Sequence, residues 1–305
     1  MENLQRELNS LIKASAAEST WKTYKTAVES LSKFRTLYGF SENWPVSIDV
    51  LLHYIAYLSC NGFSSSTVTT YISAISHFHK LNGFYDHTKS FLVIKAVEGF
   101  RRKTPKRSDI RVPISLSLLK KLIGSLTYVC KSSYESSMSA SVFSLAFFGF
   151  LRVGEFTADK KSECGSHIIQ FEDFSFVNSR DSTDLHLNIR SSKTDQTGAM
   201  TTLIICSNSD RSICPVRLLQ TYLNIRHRSL NSPLYIHFDG SFSSRYQFCS
   251  VLQRALSFCK IPDHIRSHSF RIGEATEASL MGISDEVVKK WGRWSLGAFR
   301  NYIRF

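Results

Sequence analysis

The sequence predicts a mainly helical protein with one small antiparallel β-sheet: a helical amino-terminal domain followed by an α+β domain. Three observations predict it. Apolar residues recur at three- and four-residue steps through the amino-terminal third, with no strand signal to compete. A strongly basic, proline-broken run then interrupts the periodicity. Further on, short alternating or β-branched segments lie between polar turns before helical spacing returns. At 305 residues the chain exceeds what one core usually fills, so two domains are expected, at 1–103 and 113–305, joined by a basic linker at 104–112.

From Ser19 to Tyr38, the residues Trp21, Tyr24, Val28, Leu31, Phe34 and Tyr38 share one helical face, with Ser19 or Thr20 placed to cap it. Ser47 to Cys60 makes a second helix, closed by Asn61-Gly62, and Ser65 to Leu81 a third, closed by Asn82-Gly83. A shorter helix covers Phe91 to Phe100, giving a bundle of four or five helices. The run Arg101 to Arg111 lacks apolar periodicity and reads as an extended connection; Arg101, Arg102, Lys103, Lys106 and Arg107 are the candidate contacts to a phosphate backbone. The same run also fits a solvated loop or a nuclear localisation signal.

Beyond Pro113, Ser115 to Leu126 and the apolar Ser136 to Phe150 read as helices, the second rich enough to be a core helix. Phe174 to Val177, Leu185 to Ile189 and Thr201 to Ile205 read as strands of a small antiparallel sheet. Helices return at Cys214 to Arg228, Ser243 to Lys260, Phe270 to Met281, Ser284 to Trp291 and Leu296 to Ile303.

Composition narrows the class. Hydrophobic residues make up 43% and charged residues 21% of the chain, as in a globular protein, and no apolar run approaches the roughly 20 residues needed to cross a bilayer. The amino terminus shows no secretory signal pattern, so an intracellular location is expected. The 7 cysteines form no Cys-x-x-Cys pair, which argues against a disulfide framework or zinc site; Cys60, Cys130, Cys206, Cys249 and Cys259 read as buried thiols. The formal charge of +13 points to an anionic partner, nucleic acid before membrane.

Individual motifs are weak. With 10 histidines in the chain, about one His-x-x-Arg pair is expected by accident, so His268-Ser269-Phe270-Arg271 gains meaning from its company. That company is Leu151-Arg152-Val153-Gly154-Glu155 directly after an apolar helix, Ser192-Lys193-Thr194 in a hairpin turn, and Trp291-Gly292-Arg293-Trp294-Ser295 leading to Tyr302-Ile303-Arg304. In order, spacing and context, over about Val112 to Phe305, this set resembles the catalytic domain of the tyrosine recombinases, the family of phage integrases and Cre-like enzymes. The helical amino-terminal half is similar to that family's core-binding domain. The forms around Gly292 to Ser295 and Ala298 to Arg304 look most like recombinases of eukaryotic mobile elements, of the DIRS and Crypton kinds.

The resemblance implies an enzyme that breaks and rejoins double-stranded DNA without metal, ATP or small-molecule cofactor, self-associating on DNA as a dimer or tetramer, in the nucleus. A phosphodiester repels nucleophiles, so its charge must first be neutralised. Arg152 and Arg271 would offer planar forks of donors to the non-bridging oxygens. Tyr302 would be the nucleophile and form a 3′-phosphotyrosine. His268, near its natural pKa, would be the base, and Lys193 the acid that protonates the leaving 5′ oxygen. Either Arg293 or Trp294 fills the slot for a further donor, and Glu155 supports Arg152. Taken alone, Arg152 and Glu155 would be an ordinary i, i+3 ion pair. His264 stands four residues before His268, but no third ligand of matching spacing follows, so no metal is expected. The chain runs three residues past Tyr302, whereas many family members carry a further helix that docks on a neighbouring subunit; either the sequence is truncated there or cyclic assembly by that route is not expected. Two alternatives stand beside cleavage: a domesticated DNA-binding protein that no longer cuts, and relaxation of the type IB topoisomerase kind. An RNA-binding protein would need stacked aromatic-and-basic sheet motifs, which are absent.

Overall fold

A computed structural model describes residues 1–105, 110–158, 165, 167–180, 182–190, 200–227, 232–261, 264–294 and 296–304. The chain forms two compact units, Met1–Ser108 and Asp109–Phe305.

The first unit contains α1 (Glu2–Ala14), α2 (Glu18–Tyr38), α3 (Ile48–Cys60), α4 (Ser65–Leu81), a 3₁₀ turn (His87–Lys89) and α5 (Phe91–Lys103). Helix α2 starts one residue earlier than expected, with Ala17 as its N-cap and no side-chain cap, so neither Ser19 nor Thr20 caps it. Helices α3, α4 and α5 start where hydroxyls receive orphan backbone N–H groups. Ser47 accepts from Val50, Ser64 from Thr67 and Ser90 from Val93. Leu31, Phe34, Leu51, Tyr54, Leu58, Val68, Ile75 and Val93 close one core between them. Helix α1 was not expected; no residue of it is buried. Helix α5 runs further than expected. Arg101, Arg102 and Lys103 are its last turn rather than extended chain, because cations there complement the negative end of the helix dipole and Phe100 beneath them is buried. Arg101 also donates to Thr69 Oγ1 at 3.2 Å.

In the second unit follow α6 (Leu116–Val129), α7 (Ser133–Phe148), α8 (Val153–Phe156), β1 (Phe174–Asn178), β2 (Thr183–Ile189), β3 (Thr201–Ile205), α9 (Pro215–Ile225), α10 (Arg245–Phe258), α11 (Ser269–Leu280), α12 (Asp285–Gly292) and a 3₁₀ helix (Leu296–Tyr302). Helix α7 is buried on every side from Met138 to Phe147, serines included, and sits among α6, α9 and α11. The strands form an antiparallel sheet in the order β1-β2-β3, with Leu187 opposite Leu203 and Leu185 opposite Ile205. Alternation turns these four side chains into the main core and leaves Ile204 exposed. A smaller core of Phe150, Ala275, Ala278, Val288 and Phe299 holds the carboxyl-terminal segment, with Trp294 and Tyr302 packed against it. No helix among the described residues is long and apolar enough to cross a membrane.

Three further readings change. Helix α9 stops at Ile225 because Arg226 turns its guanidinium onto the carbonyls of Pro233 and Leu234. The last element is a 3₁₀ rather than an α-helix. Of the five cysteines expected to be buried, Cys60 and Cys206 are exposed, and Cys130, Cys249 and Cys259 are half-buried; among the described residues the buried thiol is Cys214. Cys60 ends α3 and Cys206 follows β3, where the chain leaves the core.

Candidate active site

The buried helix α7 ends at Phe148, and the chain reverses through Gly149 and Phe150. A side chain at position 149 would bring its Cβ to 2.8 Å from the Leu145 carbonyl, so glycine is required there. Phe150 takes a left-handed φ of 48°, a strained conformation for an aromatic residue. Its carbonyl becomes an acceptor for two guanidinium groups, those of Arg271 and Arg293.

Arg152 follows as the N-cap of α8. The Glu155 carboxylate accepts its backbone N–H at 2.9 Å and its Nη1 at 3.1 Å, which fixes the arginine from both ends. The same carboxylate takes Arg293 Nη2 at 2.8 Å. Glu155 and Arg293 are almost completely buried, whereas 18% of the Arg152 side chain is exposed. The i, i+3 pair is thus part of a bridge across the fold.

Arg271 comes from the first turn of α11 and has no exposed surface. Its Nη2 donates to the Gly292 carbonyl at 2.8 Å, and its Nε has no partner among the described residues. Burial, then the neighbouring charges of Arg152 and Arg293, lower its pKa. Two guanidinium groups therefore share one carboxylate with a third, that of Arg271, in its field, and the cluster carries excess positive charge where burial weakens screening by water.

His268 is the N-cap of the same helix. Burial lowers its pKa, and the cations Arg111, Arg271, Arg245 and Arg152 lower it further. The expectation of a near-natural value is corrected: the imidazole is held neutral, because it is half-buried among positive charges.

Arg293 and Trp294 separate clearly. Arg293 adopts a left-handed φ of 53° after Gly292 and sends its side chain to Glu155. Trp294 folds back over Gly292, whose missing Cβ leaves the room for the indole. The ring centre lies 4.8 Å from Arg271 Cζ and 4.9 Å from the Tyr302 ring. Its Nε1 is buried and has no acceptor among the described residues. Tyr302 is half-buried, with its ring 5.6 Å from Arg271 Cζ.

Arg152, Glu155, His268, Arg271, Arg293, Trp294 and Tyr302 therefore converge. Lys193 falls on the connection from β2 to β3 and lies outside the described residues, as do Lys106 and Arg107. Arg101, Arg102 and Lys103 are exposed in the first unit. Sequence reasoning missed Arg111 and Arg245, which act on His268, and the Phe150 carbonyl. Arg111 had a signal, as the last cation of the basic run; Arg245 had none beyond its place after the Ser244 cap.

No protein-family model and no curated protein matches this sequence. Solved structures do. The XerH site-specific recombinase, bound to palindromic difH substrate in a post-cleavage complex, aligns with a TM-score of 0.59 at 17% identity, over 91% of this chain and 72% of that one. A lambda integrase dimer bound to a COC′ core site aligns with a TM-score of 0.60 at 14% identity, over 99% and 94%. The Tn1549 transposon integrase in complex with transposon right end DNA gives 0.60 at 12% identity, over 95% and 90%.

Proposed function

The chain has the tyrosine recombinase fold, and on that premise we propose that it cleaves and rejoins double-stranded DNA through a covalent phosphotyrosine. The observation that carries the reading is the buried cationic cluster itself. Arg152 and Arg293 share the carboxylate of Glu155, Arg271 lies buried beside them, and the indole that carries an unpartnered, buried N–H packs against the Tyr302 ring. Such a site is short of one anion that accepts several hydrogen bonds, and a phosphodiester meets that need.

In the proposed reaction the Tyr302 oxygen attacks phosphorus, the bond to the 5′ oxygen breaks, and the 3′ phosphate stays on the tyrosine. Arg152 and Arg271 hold the non-bridging oxygens, and Trp294 Nε1 supplies a further donor. We assign the donor slot to Trp294 because Arg293 is committed to Glu155. His268, kept neutral by its surroundings, takes the phenolic proton. Lys193 delivers a proton to the departing 5′ oxygen. One phosphodiester is exchanged for another, so resealing by the 5′ hydroxyl draws on no ATP. Arg101, Arg102, Lys103, Lys106 and Arg107 supply salt-sensitive contacts to the backbone. Recombination of a mobile element, within the nucleus and with self-association on DNA, is the biological setting we propose.

The test is a denaturing gel. The protein is incubated, without magnesium or ATP, with supercoiled DNA and with nicked suicide duplexes from its own genomic flanks, beside Tyr302→Phe. An adduct that vanishes in the variant establishes the chemistry. Binding without an adduct on any substrate would instead make the chain a non-cleaving DNA-binding protein.

A further inference from the structure

Helix α11 does more than present His268 and Arg271. Its residues Ser269, Gly273 and Glu277, four apart and so on one face, hold the chain that enters the second unit. The Ser269 carbonyl accepts the Ile114 N–H at 3.1 Å, and Glu277 Oε1 accepts the Leu116 N–H at 3.1 Å. Between them the Ile114 carbonyl rests against Gly273, where any Cβ would collide with it. An adjacent face holds the segment that bears Tyr302. Thr276 Oγ1 donates to the Ile272 carbonyl at 2.7 Å and accepts the Arg304 N–H at 3.1 Å.

One side chain joins the two segments directly. Arg304 Nη1 donates to the Arg111 carbonyl at 2.7 Å, across 193 residues of sequence. We infer that Arg304 is a positioning residue: anchored at Thr276 through its backbone and at Arg111 through its guanidinium, it sets where Tyr302 stands relative to the incoming chain. This deepens the phosphotyrosine reading and rests on it. Tyr302 is two residues away in a 3₁₀ helix, which carries fewer constraints than an α-helix, so an external anchor has more to decide. The link also bears on the base, since Arg111 is the first of the cations acting on His268. Nucleophile, base and incoming chain thus share one carbonyl-to-guanidinium contact.

The test uses the full chain with Arg304→Ala and Arg304→Lys, and three measurements. Single-turnover cleavage of a nicked suicide duplex at saturating DNA is expected to slow about tenfold to a hundredfold in the alanine variant, the range for a misplaced reacting group. DNA affinity should be unchanged, and lysine, which can still donate one hydrogen bond to the Arg111 carbonyl, should recover most of the rate. Hydrogen exchange in the free protein should quicken in the peptide that carries Tyr302 of the alanine variant. Wild-type cleavage by Arg304→Ala would overturn the inference, as would a loss of affinity matching the loss of rate, which would mark a DNA contact. If the wild type forms no adduct on any substrate, the phosphotyrosine reading fails; the exchange measurement still decides the anchor, and unchanged exchange overturns it.

Discussion

Glu155 and Arg293 meet at 2.8 Å, both buried, although 138 residues separate them. The contact ties α8 to the turn after α12, and the other carboxylate oxygen of Glu155 holds Arg152. One acidic side chain thereby organises both edges of a cationic pocket, and removing it leaves guanidinium groups in low dielectric without a counter-charge.

Glu155→Ala is therefore expected to cost about 3 to 5 kcal/mol of stability, the range for breaking a buried ion pair from one side. Denaturant unfolding measures it. Sulfate or phosphate should restore more stability to the variant than to the wild type, by binding the uncovered cations. Equal effects on both proteins would remove the argument that the cluster is short of an anion.

Trp294→Phe keeps an aromatic face on Arg271 and Tyr302 while deleting the unpartnered indole N–H. Single-turnover cleavage should fall by about a hundredfold, as when one donor to a transition-state oxyanion is lost. Unfolding free energy should change little, because no native hydrogen bond is broken. Arg293→Ala should show the reverse balance, with stability lost through Glu155.

The cleavage rate should depend on pH through His268. Its folded pKa lies below the ordinary 6.5 because of burial and four neighbouring arginines, so the neutral base persists to more acid pH than a solvated histidine would allow. The acidic limb of the rate profile should be centred below that value. The stability sign follows: below the unfolded pKa the unfolded chain binds a proton that the folded chain resists, so stability falls as pH drops through this window. His268→Gln should flatten that part of the stability curve. An acidic limb centred above 6.5 would contradict the geometry.

Two glycines give a paired test. Gly292→Ala places a Cβ inside the Trp294 indole and should displace it, lowering both cleavage and the melting temperature. Gly154→Ala meets nothing within 4 Å in the first turn of α8 and should be neutral or stabilising by about 0.4 to 1 kcal/mol. Thermal unfolding of the two variants side by side distinguishes a steric requirement at Gly292 from a general intolerance of these turns.

Much of this protein was legible in its sequence. Apolar spacing, with turn and cap residues, placed α2 to α6 and the three strands close to their observed bounds, because most of these elements bury one face and burial is written as periodicity. Arg152, His268, Arg271 and Tyr302 stood out in the sequence through their order and spacing, which resemble the tyrosine recombinase pattern, and the fold brings them near one another. Periodicity said nothing about contacts between distant segments, and there the tertiary structure decided. It assigned Arg293 to Glu155 and left Trp294 facing Tyr302, a choice set by a left-handed turn and a missing Cβ. It turned Arg101 to Lys103 into helix, through the dipole and the buried Phe100. It gathered Arg111 and Arg245 around His268, lowering a pKa that spacing alone left at its natural value. Local pattern records which face of an element is apolar. Which charges become neighbours depends on how those faces pack, and at this site burial and neighbouring charge act together to tune the groups that would do the chemistry.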